Sequence, residues 1–205
     1  MCAIIGSFNK EKLEELHKLN SYRGESSYSF GAFDYIQPNM VQYVYKHKGR
    51  MEEEYIKNTF QPNESTYFIA HTQAPTTDTD NIHPAMYGNS MLWHNGIIKQ
   101  KTLSEGTWDT AWLLEQIIDY GWGSLSDVDG TFACILYYGG DLFAFRNEIS
   151  PLFYDKELNF SSTRFEDSIS LPPNTVFKLD LRHKIIESVA FFKTKENPYY
   201  IPGLA

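Results

Sequence analysis

Met1-Cys2-Ala3-Ile4-Ile5-Gly6 opens the chain, a cysteine directly ahead of a short apolar run. Removal of Met1, which a small second residue favours, makes Cys2 the terminal residue, with a thiol and a free α-amine on one centre. An α-amine titrates near ~7.7–8.0, so it can take the thiol proton directly or through a water, and the nucleophile carries its own base. A second reading stands beside this one. Cys2 starts a buried strand, Ala3-Ile4-Ile5, and packs as a small hydrophobe.

Around that opening the composition sets limits. The chain has 205 residues, 42% hydrophobic and 16% aromatic, with 14 Tyr and 14 Phe. That suits one domain over residues 1–205 with a sizeable core, is too apolar for disorder, and favours sheet. A formal net charge of −8 repels phosphate backbones and anionic lipid, so neither nucleic acid nor membrane is expected as a partner. The basic residues 46–50 and the following Glu52-Glu53-Glu54 read as solvated surface. No stretch approaches the ~18 apolar residues of a membrane span, and no signal peptide is evident. The expected location is cytoplasmic, where thiols stay reduced. Cys134, inside Thr131-Phe132-Ala133-Cys134-Ile135-Leu136, reads as packed and inert.

Periodicity supplies the elements. A strand over 3–8 leads into an amphipathic helix over 10–19, with leucines at 13, 16 and 19. Strand-like runs follow at 28–33, 41–45 and 66–71, with a short helix at 52–60 between the last two. Residues 72–84 form the longest polar segment, a candidate functional loop. Ser90 to His94 reads as a strand ending in a tight Asn95-Gly96 turn, since Asn-Gly is a strong hairpin signal. Residues 109–120 give the clearest helix, with Thr107 as N-cap and Gly121-Trp122-Gly123 as its stop. From 128 onward come short strands at 131–138, 142–145, 152–154, 158–160, 176–179 and 185–192, then an aromatic, proline-containing tail. With many strands and few helices, the class is α+β.

Several separated stretches together resemble class II glutamine amidotransferase domains, which usually begin Cys-Gly-Ile. Tyr22-Arg23-Gly24-Glu25-Ser26 is similar to that family's Arg-Gly-x-Asp-Ser turn. Ala70-His71-Thr72-Gln73-Ala74-Pro75-Thr76 is similar to its His-Thr-Arg-x-x-Thr segment, and His83-Pro84 to its His-Pro. Trp93-His94-Asn95-Gly96-Ile97-Ile98 resembles its His-Asn-Gly-x-Ile motif, and Trp108-Asp109-Thr110 the head of a family helix. The likeness continues through Asp129-Gly130-Thr131, Phe145-Arg146-Asn147 and Leu171-Pro172-Pro173-Asn174, in order along the chain. It implies a four-layer αββα N-terminal-nucleophile hydrolase sandwich with mostly antiparallel sheets.

The resemblance also implies roles. Cys2 attacks a side-chain amide through a thioester, and the Asn95 side chain with the Gly96 N–H holds the oxyanion. Gln73, Thr76, His83, Asp109 and Arg23 surround the substrate, with Asp109 on the α-ammonium of glutamine. Each has a plainer reading: a hairpin turn for Asn95-Gly96, a helix-start carboxylate for Asp109, a surface turn for Arg23. His71, His83 and His94 lack metal-ligand spacing and read as loop and strand-end hydrogen bonders, so no metal or cofactor is expected.

The match departs at two places. Gln73 stands where the family has the arginine that grips the α-carboxylate of glutamine, and a neutral amide lacks the guanidinium's charge and fork. Arg23 or Lys99 could serve instead, or the substrate could lack the carboxylate. The second departure is length: a single domain without a synthase domain is expected, which would place the ammonia acceptor on a separate partner subunit, with the tail at 198–202 as a docking candidate. Three functions follow: a glutaminase, an amidohydrolase for another amide, and an inactive sandwich used for binding or regulation.

Overall fold

The computed structural model describes residues 2–36, 40–51, 65–74, 80–100 and 106–194. The helix expected at 52–60, Thr76 and the aromatic tail lie outside the described residues. Chain order is β1 (Ala3–Ser7), α1 (Lys10–Asn20), β2 (Ser27–Asp34), β3 (Met40–Lys48), β4 (Thr66–Gln73), β5 (Ala85–Tyr87), β6 (Ser90–Ile98) and α2 (Asp109–Tyr120). There follow β7 (Gly130–Tyr138), β8 (Asp141–Arg146), β9 (Phe153–Tyr154), β10 (Phe160–Ser161), β11 (Ile169–Ser170), β12 (Thr175–Asp180) and β13 (Ile185–Phe191). The strands form a seven-stranded sheet, β11-β9-β10-β1-β4-β2-β3, and a six-stranded sheet, β13-β12-β8-β7-β6-β5.

Strand alternation stacks these sheets. On β4, Tyr67 and Ile69 face the other sheet, while Phe68 and Ala70 turn outward; on β7, Ala133, Ile135 and Tyr137 face inward, while Phe132, Cys134 and Leu136 turn outward. Both faces of both sheets are therefore apolar. Trp93, fully buried between the sheets, donates its indole N–H to Ser29 Oγ at 3.2 Å, so the core leaves that polar group satisfied. The outer faces need covers, and helices supply them. Leu13 and Leu16 of α1 pack with Ile5 and Phe68, and Leu113, Leu114 and Ile117 of α2 pack with Phe132 and Leu136. Each such fully buried side chain contributes roughly 1.5–3 kcal/mol. The result is the four-layer αββα order.

Helix ends follow local chemistry. Asn9 caps α1, its side chain accepting from Lys12 N at 2.9 Å. The N-cap of α2 is Trp108, not Thr107; Asp109 replaces the missing cap, its Oδ1 accepting from Thr110 N at 2.8 Å. Gly121, with φ of 75°, closes α2 by donating its N–H to Ile117 O at 2.9 Å.

Asn95-Gly96 is not a turn. β6 runs through it, with Asn95 opposite Ala133 and Gly96 opposite Phe132, and the ladder continues to Ile98 opposite Gly130. Extended pairing along a central strand outweighs the local turn preference of Asn-Gly. Glycine is required for a different reason. A Cβ at position 96 would lie 1.9 Å from Thr131 O, where the neighbouring backbone comes close.

Cys134 is fully buried and its thiol is pushed well up by burial. Lys46 is less solvated than its charge suggested, donating from Nζ to Pro84 O at 2.6 Å. No helix among the described residues is long and apolar enough to cross a membrane.

Candidate active site

β1 lies inside its sheet between β4 and β10, so residue 2 emerges where three strands end together. Cys2 is half-buried there, its Sγ 3.9 Å from Ala74 O. Burial pushes the thiol above its ordinary value and the Asp109 carboxylate adds to the push, while the backbone at Ala74 and the Arg23 guanidinium oppose it. At neutral pH this sulfur keeps its proton, and nucleophilic attack requires a base.

Arg23, at the end of a 3₁₀ turn over Ser21–Arg23, is buried against that residue and donates from Nε to Cys2 O at 2.9 Å. Gly24 fits the turn against β4, where a Cβ would meet the Gln73 carbonyl carbon at 2.4 Å. Asn95 reaches across from the other sheet. With its amide oriented so that both ends are satisfied, Nδ2 donates to Cys2 O at 3.0 Å and Oδ1 accepts from Arg23 Nη2 at 3.2 Å. The two sheets are thus pinned together at Cys2.

The Gln73 side chain is bonded at both ends. Its Nε2 donates to Asn81 O at 3.0 Å, and its Oε1 accepts from Ser27 Oγ at 3.2 Å with His83 Nδ1 also at 3.2 Å. Because the Asn81 carbonyl accepts, the amide orientation is set and His83 Nδ1 must carry its proton. His83 Nε2 is then an acceptor, 3.1 Å from Thr110 Oγ1. His94 donates from Nε2 to Thr131 O at 3.3 Å, which leaves its Nδ1 as an acceptor, also 3.1 Å from Thr110 Oγ1. Asp109 Oδ1 is a third acceptor, 3.3 Å from the same hydroxyl. One hydroxyl proton faces three acceptors.

His71, whose Nε2 donates to His94 O at 3.1 Å, packs its ring against that of His83, tilted by 32° with centroids 4.0 Å apart. Burial drives its pKa down to about 3 and lowers His83 and His94 as well. All three imidazoles are neutral at pH 7. His83 lies in the loop before β5 as expected, whereas His71 and His94 sit within β4 and β6; the three form one buried cluster, with His83 and His94 on the wall of the cavity beside Cys2, brought together by the stacking of β4 on β6.

The cavity beside Cys2 has a volume of about 220 Å³. Cys2, Arg23, Gln73, His83, Asn95, Gly96 and Asp109, all expected from the sequence, line it, whereas Lys99, the alternative carboxylate partner, is not among its lining residues. Thr76 lies outside the described residues. Trp108, Thr110 and the loop Ile149, Ser150 and Pro151 also line it, and sequence reasoning assigned them no role. Trp108 and Thr110 sat inside a quoted motif, whereas nothing in the sequence pointed to Ile149 and Ser150.

Neither a protein-family model nor a curated relative matches the sequence. Solved structures do match. Glutamine phosphoribosylpyrophosphate amidotransferase from B. subtilis, complexed with ADP and GMP, aligns with a TM-score of 0.61 at 16% identity over 92% of this chain and 49% of that one. A structure described as the allosteric regulatory enzyme of purine biosynthesis aligns with a TM-score of 0.61 at 15% identity, over 92% and 48%. The chain spans about half the length of these proteins. At this identity the likeness is one of fold, the four-layer αββα sandwich.

Proposed function

We propose that this chain, as a single domain, hydrolyses a small primary carboxamide at Cys2 and releases ammonia. The observation that carries the reading is convergence: Cys2 from one sheet, Asn95 and Gly96 from the other, and Asp109 from the head of α2 line one cavity. The likeness in fold to a glutamine amidotransferase supports the same reaction class.

The raised thiol and the bonded imidazoles favour the α-amine, exposed by loss of Met1, as the base. That amine takes the thiol proton as Sγ attacks the amide carbonyl carbon, and the oxyanion is met by Asn95 Nδ2 and the Gly96 N–H. The amine then protonates the departing nitrogen, which leaves as ammonia, and a thioester remains. Water attacks the thioester, its proton passes through the amine to sulfur, and the free acid departs. With glutamine, the acid is glutamate, and the ammonia is available to an acceptor on a partner.

Glutamine fits the amide end and, through Asp109, the amine end of this site. Gln73 brings no charge to its carboxylate, and its Oε1 and one Nε2 hydrogen are already bonded, which favours a second reading in which the amide lacks that group. Ammonia release from purified protein, lost in Cys2→Ala, tests the reaction; release that survives the substitution contradicts it.

A further inference from the structure

We infer that the amide accepted here carries a cationic amine and no carboxylate, as 4-aminobutanamide does; this deepens, and rests on, the reading of Cys2 as the nucleophile.

Charge at the cavity wall points that way. Arg23 is the one cation among the described lining residues, and it is committed, Nε to Cys2 O and Nη2 to Asn95 Oδ1. A carboxylate there would find only the remaining N–H groups of a guanidinium already anchored to two groups beside the nucleophile. Gln73 is bonded at both ends and carries no charge.

Asp109 is in the opposite condition. Among the described residues no cation lies within ion-pair distance of its carboxylate, and its partners are the Ile98 N–H at 3.2 Å and Thr110. The Thr110 hydroxyl can give its one proton to Asp109, His83 or His94, so the cluster is short of donors. An ammonium brings three donors and a positive charge to a wall that needs both. Trp108, next in sequence and also on the wall, adds an aromatic surface of the kind that attracts cations. The apolar side chains of Ile97, Ile149 and Pro151 suit the methylenes between amine and amide.

Calorimetric titration of the full chain bearing Cys2→Ala, with Cys2→Ser as a second variant, tests recognition apart from turnover. The ligands are 4-aminobutanamide, glutamine, glutaramate (carboxylate without amine) and butanamide (neither). The expected order places 4-aminobutanamide at least tenfold tighter than the other three, with its advantage over butanamide lost when Asp109→Asn is added. Glutamine or glutaramate binding as tightly, or no binding by any of the four, overturns the inference. Ammonia release by the unaltered protein separates the two claims. Release from glutamine with the affinity order reversed overturns this inference and leaves the nucleophile standing, whereas the predicted order with no release from any amide leaves recognition standing without the chemistry.

Discussion

Arg23 and Cys2 are joined through the main chain: the guanidinium Nε donates to the Cys2 carbonyl oxygen at 2.9 Å, and its Nη2 reaches Asn95 Oδ1 at 3.2 Å. One planar group therefore positions both the nucleophile and the side chain proposed to hold the oxyanion. A lysine ammonium cannot span the two. With charged hydrogen bonds worth ~1.5–3 kcal/mol, Arg23→Lys is expected to lower kcat/KM for ammonia release about 10–100-fold. Steady-state kinetics check this, and a loss below about twofold contradicts it.

Asn95 is buried in the middle of β6, with its amide turned to Cys2. Asn95→Ala is expected to cost about 10²–10³ in kcat, the usual loss for one oxyanion donor. KM and thermal midpoint, measured alongside, separate lost transition-state binding from lost folding.

The histidine cluster makes stability depend on pH. His71 has its folded pKa lowered to about 3 and His83 and His94 are lowered too, against ~6.5 in the unfolded chain. Below pH ~6.5 the unfolded state binds more protons than the folded one. The stability these groups contribute is full above that pH and is lost as pH falls toward the folded values. A histidine that stays neutral in the folded chain adds a slope of at most about 1.4 kcal/mol per pH unit, approached once its unfolded counterpart is fully protonated. Urea unfolding between pH 6.5 and 5 is expected to show His71→Gln losing stability less steeply than the parent by up to that amount, and equal slopes contradict the account.

Gly96 admits no side chain. A Cβ there would sit 1.9 Å from Thr131 O, and φ at 155° disfavours L residues. Gly96→Ala is expected to destabilise the chain by more than about 3 kcal/mol, read from urea midpoints.

How much of this was legible follows from the range of the interactions. α2 was readable to the residue and α1 to within one, because apolar residues at helical spacing and the stop signal at Gly121 act locally, although the cap expected at Thr107 falls at Trp108. The order of layers was not in the periodicity and came from motifs in register. Asn95-Gly96 was misread as a turn because its neighbours along the chain suggest a hairpin, while its neighbours across the ladder, Ala133 and Phe132, decide otherwise. The cluster at Thr110 was invisible for a related reason. His83, His94 and Asp109 meet one hydroxyl only after β6 and α2 pack together, and no spacing along the chain records that meeting.

The central claim is that Cys2, freed of Met1, forms a thioester with a carboxamide. Intact-mass analysis of the purified chain, followed by acid quench during turnover and peptide mapping, tests it most directly. The account predicts a chain lacking Met1 and an acyl adduct confined to Cys2, absent in Cys2→Ala. A retained Met1, or an adduct on Cys134 or any other side chain in place of Cys2, would contradict it.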